Sequence, residues 1–219
     1  MSEPEGPAAD GPARLANEPE VSVRGYREKD LEVVRELFIR VNRELAPEHM
    51  RDAFRAYIER SIDEEIGRIP DYYGTRDGGF WVATRAGELG GMFGLERAGL
   101  DAVELRRMYL APGWRGRGLG RRLLDYAERA AARRGFRRMS LSTSEIQKTA
   151  LSLYRTHGFE LVREEVAEGA SNKTVGGGIR RFHFEKRLGA SAPVCSEDDG
   201  WFSSARFLGK GTTCRRSPP

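Results

Sequence analysis

Cysteine is nearly absent: the 219 residues hold two, Cys195 and Cys214, both close to the C-terminus. A disulfide framework is therefore not expected to hold the fold, and the rest of the chain has neither a thiol nucleophile nor a cysteine metal cluster. Histidine is scarce as well, at three residues, and no metal site is expected. Long apolar runs are missing. No stretch approaches the ~20 apolar residues of a membrane span, and Met1 to Glu20 lacks the apolar centre of a signal peptide. A soluble, cytoplasmic protein is the expectation. The two commonest phosphate-binding motifs are missing too. A dinucleotide fingerprint starting at Gly116 needs glycine at position 121, where Arg121 stands; a nucleoside-triphosphate loop starting at Gly113 needs lysine at 119, where Leu119 stands.

What is present is charge and segmentation. Residues 1–20 carry five acids against one arginine, rich in Pro, Ala and Gly without apolar periodicity, and read as a disordered leader of net −4. From Gly189 the chain turns to Ser, Gly, Pro and scattered charge of net +1; Trp201, Phe202 and Phe207 are too isolated to build a core, so 189–219 reads as a loose tail. With +4 for the whole chain, residues 21–188 hold +7. One domain of that length, basic enough to attract an anionic ligand, is implied; charge alone leaves open a nucleotide cofactor, nucleic acid or a lipid surface.

Hydrophobic period separates the elements of this domain. Val21, Val23 and Tyr26 alternate as a strand, then Leu31, Val34, Leu37, Phe38 and Val41 recur at helical spacing with Asp30 placed to cap the start. Phe54, Tyr57, Ile58 and Ile62 mark a second helix after Pro47. Phe80–Arg85 and Leu89–Arg97 read as a hairpin whose Gly90, Gly91 and Gly94 signal a bulge or a close backbone approach. Val103–Leu110 is the next strand. A helix follows with Leu119, Leu123, Tyr126, Ala127 and Ala130 on one stripe, stopping at Gly135-Phe136. Met139 and Leu141 make a strand, and a shorter helix from about Gln147 stops at Gly158-Phe159. Leu161 and Val162, then Ile179, Phe182 and Phe184, supply closing strands around the glycine-rich segment 169–178. Strands alternating with helices predict an α/β fold with a mixed sheet.

The most informative stretch is E-L-R-R-M-Y-L-A-P-G-W-R-G-R-G-L-G-R-R, from Glu104 to Arg122. An extended run meets a Pro-Gly turn and then glycines that open a helix, so several backbone N–H groups and a positive dipole end face outward. Gly116, Gly118 and Gly120 let a ligand approach, and Arg115, Arg117, Arg121 and Arg122 surround it with charge. The surviving pattern is R-x-x-G-x-G, Arg115 to Gly120. By itself it is also compatible with a glycine-arginine segment that binds nucleic acid.

Together, the strand Glu104–Leu110, the loop R-G-R-G-L-G and the helix A-L-S-L-Y-R-T-H-G-F at Ala150–Phe159 resemble the GNAT acetyltransferase superfamily over about residues 21–188. The resemblance implies a mixed, mostly antiparallel central sheet with two splayed strands and about four helices. It implies that acetyl-CoA is the co-substrate, with no metal: the main chain of Met108, Tyr109 and Leu110 lines its pantetheine arm, and Arg115, Gly116, Arg117, Gly118, Leu119, Gly120 and Arg121 hold its pyrophosphate. Glu104 matches the carboxylate base and Tyr154 the phenolic acid of an attack by a primary amine on the thioester, in a ternary complex because no cysteine is at hand for a covalent acetyl intermediate.

Each assignment has a plainer counterpart. Glu104 could pair with an arginine across the sheet, and Tyr154 could be a core aromatic. Arg121 and Arg122 could lie on a solvated helix face, Ser144 could cap the helix that follows it instead of contacting the arm with Thr143 and Gln147, and His157 could stabilise a helix end; His49 and His183 have no identifiable partner. The acceptor would be a small-molecule or peptide amine, with neither nucleic acid nor membrane as partner and a homodimer left open. Glu48, Asp52, Glu59, Asp63, Glu64, Glu65 and Asp71, in the segment that walls the acceptor pocket in this fold, hint at a cationic amine. Two rival readings are a nucleic-acid-binding protein using the Arg106–Arg122 cluster and a CoA-binding module without catalysis.

Overall fold

The computed structural model describes residues 20–189 and 200–202. Nearly all of the expected leader and most of the expected tail, with Cys195, Phe207 and Cys214, lie outside the described residues. Seven strands form one sheet in the order β1-β2-β3-β4-β5-β7-β6. They are β1 Val21–Gly25, β2 Gly79–Arg85, β3 Glu88–Arg97, β4 Ala102–Leu110, β5 Arg138–Ser144, β6 Glu160–Ala167 and β7 Ile179–Arg187. Every neighbouring pair is antiparallel except β4 and β5, which a helical crossover makes parallel. The helices are α1 Leu31–Leu45, α2 Arg51–Glu64, α3 Ile69–Gly74, α4 Leu119–Arg133 and α5 Lys148–Thr156. The mixed, mostly antiparallel sheet is as expected, and so are the four longer helices. The six-residue α3 is too short to show a period in sequence, yet it buries Ile69, Tyr72 and Tyr73.

Successive residues of a strand face opposite sides, and β2 shows where each leads. Phe80 meets Tyr73 of α3 with ring centroids 5.3 Å apart, whereas Trp81 stacks on Phe93, which in turn meets Tyr126 of α4. The sheet is thus covered by α1–α3 on one face and by α4 and α5 on the other, a three-layer arrangement that buries both apolar faces. The stripes expected of α1 (Val34, Leu37, Phe38, Val41) and α4 (Leu119, Leu123, Ala127, Ala130) are buried.

The two Gly-Phe endings close their helices by the same device. Gly135 and Gly158 take φ of 91° and 82°, and the following Phe136 and Phe159 donate their N–H to the carbonyls of Ala131 and Tyr154 while burying their rings in the core. The glycines of β3 are there for close approach. A Cβ on Gly90 would lie 1.9 Å from the Trp114 ring, and one on Gly94 2.2 Å from the Tyr73 hydroxyl.

Two local expectations are corrected. Asp30 does not cap α1 with its side chain: its carboxylate accepts the Arg27 N–H at 2.8 Å and a two-pronged ion pair from Arg24 at 2.7 and 2.8 Å, because a charged fork outbids a single amide. Trp201 is not isolated. It bridges to Gly79 and packs between Trp81 and Phe136, and Phe80 N–H donates to Gly200 O at 2.9 Å. Leu161 and Val162 belong to β6 as expected, and with Val166 of the same strand they sit on the sheet's edge, 40%, 54% and 55% exposed.

Candidate active site

The parallel register of β4 and β5 begins at Ala102↔Arg138 and ends at Leu105↔Leu141, although β4 runs on to Leu110 and β5 to Ser144. Beyond Leu105 the two strands part. β4 keeps β3 as its neighbour on one side (Gly94↔Arg106, Met92↔Tyr109, Gly91↔Leu110) and has no strand partner on the other among the described residues, while β5 stays with β7 up to Ser144↔Arg181. A wedge-shaped gap opens through the sheet, floored by backbone.

The gap starts at a bulge. Arg107 and Met108 together oppose Phe93, and Arg107 takes φ of 51°, in the left-handed region where a side chain of its size is strained by about 1 kcal/mol. The extra residue breaks the alternation of the strand, so Arg106 and Arg107, neighbours in sequence, both reach one carboxylate. Glu65, which is 0% exposed, accepts from Arg106 Nη2 at 2.5 Å, from Arg107 Nε and Nη2 at 3.0 and 2.7 Å, and from the Tyr73 hydroxyl at 2.7 Å. Arg107 also donates to the Tyr57 hydroxyl and to Asn172 O. Burial pushes the Glu65 carboxyl upward, but the guanidiniums of Arg107 and Arg106 outweigh it and hold it at about 2. This clamp ties the strained bulge to α2, whose last helical residue precedes Glu65.

One cavity occupies the gap. Its walls include Glu104 and Arg107 of β4, Ser142–Ser144 of β5, Tyr154 of α5, Tyr57 of α2, Lys173 of the β6–β7 connection and Arg181 of β7. Tyr154 comes from the α4–α5 side. Its ring meets Phe159 and Phe184, and burial alone pushes its phenol up to about 12. Glu104 comes from the α1–α3 side, where Lys173 Nζ lies 2.6 Å from its Oε2 and 2.8 Å from Glu96 Oε1. Glu96 stands directly across the β3–β4 ladder from Glu104; burial raises its carboxyl, and Arg106 and Lys173 bring it below the usual range.

Just past the gap, the chain turns into α4 through residues 115–118, all exposed. Gly116 and Gly118 adopt φ of 81° and 72°, Gly118 is the N-cap of α4, and a Cβ on either would meet nothing within 4 Å. Bare, left-handed backbone thus heads a 15-residue helix in open space, where an anion gains from outward N–H groups and the dipole.

The family described as Acetyltransferase (GNAT) matches residues 34–159. The chain belongs to the GNAT acetyltransferase family. The chain is 32% identical over 124 residues to an N-acetyltransferase of Escherichia coli K12, YjgM, whose activity is uncharacterised, covering 55% of this chain and 73% of that one. It is 30% identical over 122 residues to the N-acetylaspartate synthetase of Danio rerio, covering 53% of this chain but only 42% of that protein. The PaiA N-acetyltransferase of Thermoplasma acidophilum, solved with coenzyme A, shares the fold at a TM-score of 0.58 and 22% identity over 77% of this chain and 99% of that one. As a GNAT member the chain is an acetyl-CoA-dependent acyltransferase.

The GNAT resemblance drew together residues that the structure places in two adjoining zones. Glu104, Met108, Tyr109 and Tyr154 line the cavity, while Leu110 continues β4 and Arg115, Gly116, Arg117, Gly118, Leu119, Gly120 and Arg121 follow at the head of α4. Several of these side chains, and others read from the sequence, have partners within the chain. Arg115 grips Glu44 at 2.7 and 3.1 Å and the Leu110 carbonyl at 3.1 Å, and Arg122 donates to Val21 O. Arg106 and Arg107, counted in a nucleic-acid surface, are buried and spent on Glu65 and Glu96. Ser144 is not the N-cap of α5; Gln147 is, and Thr143 Oγ1 lies 2.9 Å from Gln147 Oε1. Of the seven acids expected to favour a cationic acceptor, six are exposed and Glu65 is neutralised by arginine. His157 bonds Asp125 at 3.0 Å, and His183, for which no partner was identified, bonds Glu165 at 2.8 Å. Sequence spacing gave no hint of Lys173 or Arg181, nor that Glu65 would be the partner of two arginines, since these residues come from elements far apart in the chain.

Proposed function

We propose that this chain is an N-acetyltransferase that moves the acetyl group of acetyl-CoA to a primary amine by direct attack in a ternary complex. The observation that carries the reading is one cavity, set in the gap between β4 and β5, with a carboxylate entering from one face of the sheet and a phenol from the other. The residues suit the co-substrate. An extended, amide-rich arm matches the strand edge left open beyond Leu105, and a diphosphate matches the bare head of α4. Acetyl-CoA, when bound, supplies the activated carbonyl.

The chain's own groups then have distinct tasks. The amine must lose a proton before it attacks. Glu104 is the group placed to take that proton, directly or through one water. Tyr154, with its phenol at about 12, is fully protonated at neutral pH. Because a thiol of ordinary acidity sits near 8.5, outright transfer from Tyr154 to the departing sulfur runs uphill. Its contribution is a hydrogen bond that strengthens as charge gathers on sulfur, while the proton that ends there originates on the amine. No cysteine lies within residues 20–189, so the acetyl group has no thiol to rest on.

The test is release of free thiol from acetyl-CoA against a panel of amino acids, polyamines, aminoglycosides and peptide N-termini. Intersecting initial-rate lines are expected, as for a ternary complex. Parallel lines would remove direct attack, and calorimetry showing no heat on adding CoA to folded protein would remove the site.

A further inference from the structure

Five acidic or basic side chains line the cavity: Glu104, Arg106, Arg107, Lys173 and Arg181. Four of them are accounted for. Arg106 and Arg107 are met by Glu65 and Glu96, and Lys173 sits between Glu96 and Glu104. Arg181 is different. Its side chain is 11% exposed, its Nη2 donates to the neutral Ser142 hydroxyl, and its Nη1 lies 3.4 Å from Glu165 Oε1. That carboxylate also takes His183 at 2.8 Å and Arg163, so three basic side chains share one acid. Burial correspondingly makes the Arg181 guanidinium easier to deprotonate than usual. One arm of the guanidinium rests on a neutral hydroxyl and the other on a distant, shared carboxylate, and Glu104 attracts it only across space, so its remaining donors line the cavity with little opposite charge in contact and suit an anion brought by a ligand.

Its position says where that anion lies. Glu104 pairs in register with Ser140, and Ser142, which Arg181 holds, is the next β5 residue on the same face, about 7 Å further along. Ser142 is also the first residue on that face beyond the point where β4 and β5 part. The amine at Glu104 and an anion at Arg181 therefore fit within one small molecule.

Resting on the acetyl-transfer reading above, the geometry points to Arg181 as the acceptor-specificity residue: the amine acetylated here carries a carboxylate a few bonds from its nitrogen, as an amino acid does. This replaces the hint of a cationic amine drawn from Glu48, Asp52, Glu59, Asp63, Glu64, Glu65 and Asp71.

The experiment compares matched acceptors on the wild-type chain: free amino acids, their amides and their decarboxylated amines, with aspartate against asparagine and glutamate against glutamine for the side-chain carboxylate. At least one acid form is expected to exceed both neutral counterparts in kcat/KM by about 10- to 100-fold, the range of a charge-assisted hydrogen bond. Arg181→Gln should raise KM for that acid by a similar factor with kcat little changed and collapse the acid-to-amide ratio toward one; Arg181→Lys should restore part of it. An aminophosphonate that outruns the carboxylate would shift the assignment to a different anion and overturn the amino-acid class. Equal or better turnover of amides or polyamines, or an intact ratio in Arg181→Gln, overturns the proposal. So does a panel in which no amine reacts while acetyl-CoA still gives binding heat, whereas absence of that heat overturns the acetyl-transfer reading instead. Should Arg181→Gln fail to fold, the wild-type ratio decides alone.

Discussion

Replacing Glu65 by glutamine tests the clamp that ties the bulge of β4 to the end of α2. Glu65 is completely buried, receives two guanidiniums and a phenol, and stays ionised down to about pH 2 in the folded chain. In the unfolded chain its carboxyl returns to 4.5, so the depression of roughly 2.5 pH units corresponds to about 3 kcal/mol of folding stability. A folded-state pKa below the unfolded one contributes stability that is complete above pH 4.5 and disappears as pH falls toward 2. Removing the charge outright leaves Arg107 buried with neutral acceptors, a loss of about 3–5 kcal/mol. Urea unfolding of both proteins at pH 7 should show Glu65→Gln about 3 kcal/mol less stable, which for a domain of this size lowers Tm by roughly 10 °C. The gap should then close as both are titrated from pH 4.5 toward 2, where wild-type Glu65 takes up the proton that glutamine mimics. A difference below about 1 kcal/mol at pH 7, or one that stays constant down to pH 2.5, would refute the electrostatic account of the clamp.

Three further outcomes are expected. Tyr154→Phe should lower kcat by about 10- to 100-fold with CoA affinity retained, since a hydrogen bond to sulfur is lost but no packing; an unchanged kcat would make Tyr154 a core aromatic only. Gly118→Ala adds a methyl to open space, so its cost is the left-handed φ of 72° alone, about 1 kcal/mol. Relief of that strain should turn the loop amides away and weaken CoA binding several-fold by calorimetry, and an unaltered Kd would argue against the loop as phosphate seat. Lys173→Met should leave Glu96 and Glu104 facing each other across the β3–β4 ladder. Up to about 1 kcal/mol of stability should be lost at neutral pH, with partial recovery as pH falls through the carboxylate range, and a variant as stable as wild type would show that the ammonium bridges nothing of consequence.

Local physics made much of this chain legible in advance. The alternation of Val21 and Val23, the helical stripe of Leu119, Leu123, Ala127 and Ala130, and the two Gly-Phe stops depend on neighbours within a few residues, and each stands where its spacing put it. The glycines before α4 belong to the same class, because a positive φ at Gly116 and Gly118 is a property of single residues. Expectations failed where a remote partner intervened. Asp30 looked like a cap until Arg24 arrived beside it, and Trp201 seemed stranded until it met Trp81 and Phe136.

What the amino-acid sequence determined by itself is the strands and longer helices, their order and the bare-backbone turn that opens α4, since periodicity and turn chemistry are written into short stretches. Only the tertiary structure decided that β4 and β5 part at Leu105 and that a bulge sends two adjacent arginines to one buried glutamate. The same holds for Lys173 and Arg181, which reach the cavity of Glu104 and Tyr154 from the far end of the chain. Charge pairing acts across space, with no period along the sequence to announce it, and in a buried cavity it is the whole set of facing charges that selects what the site accepts.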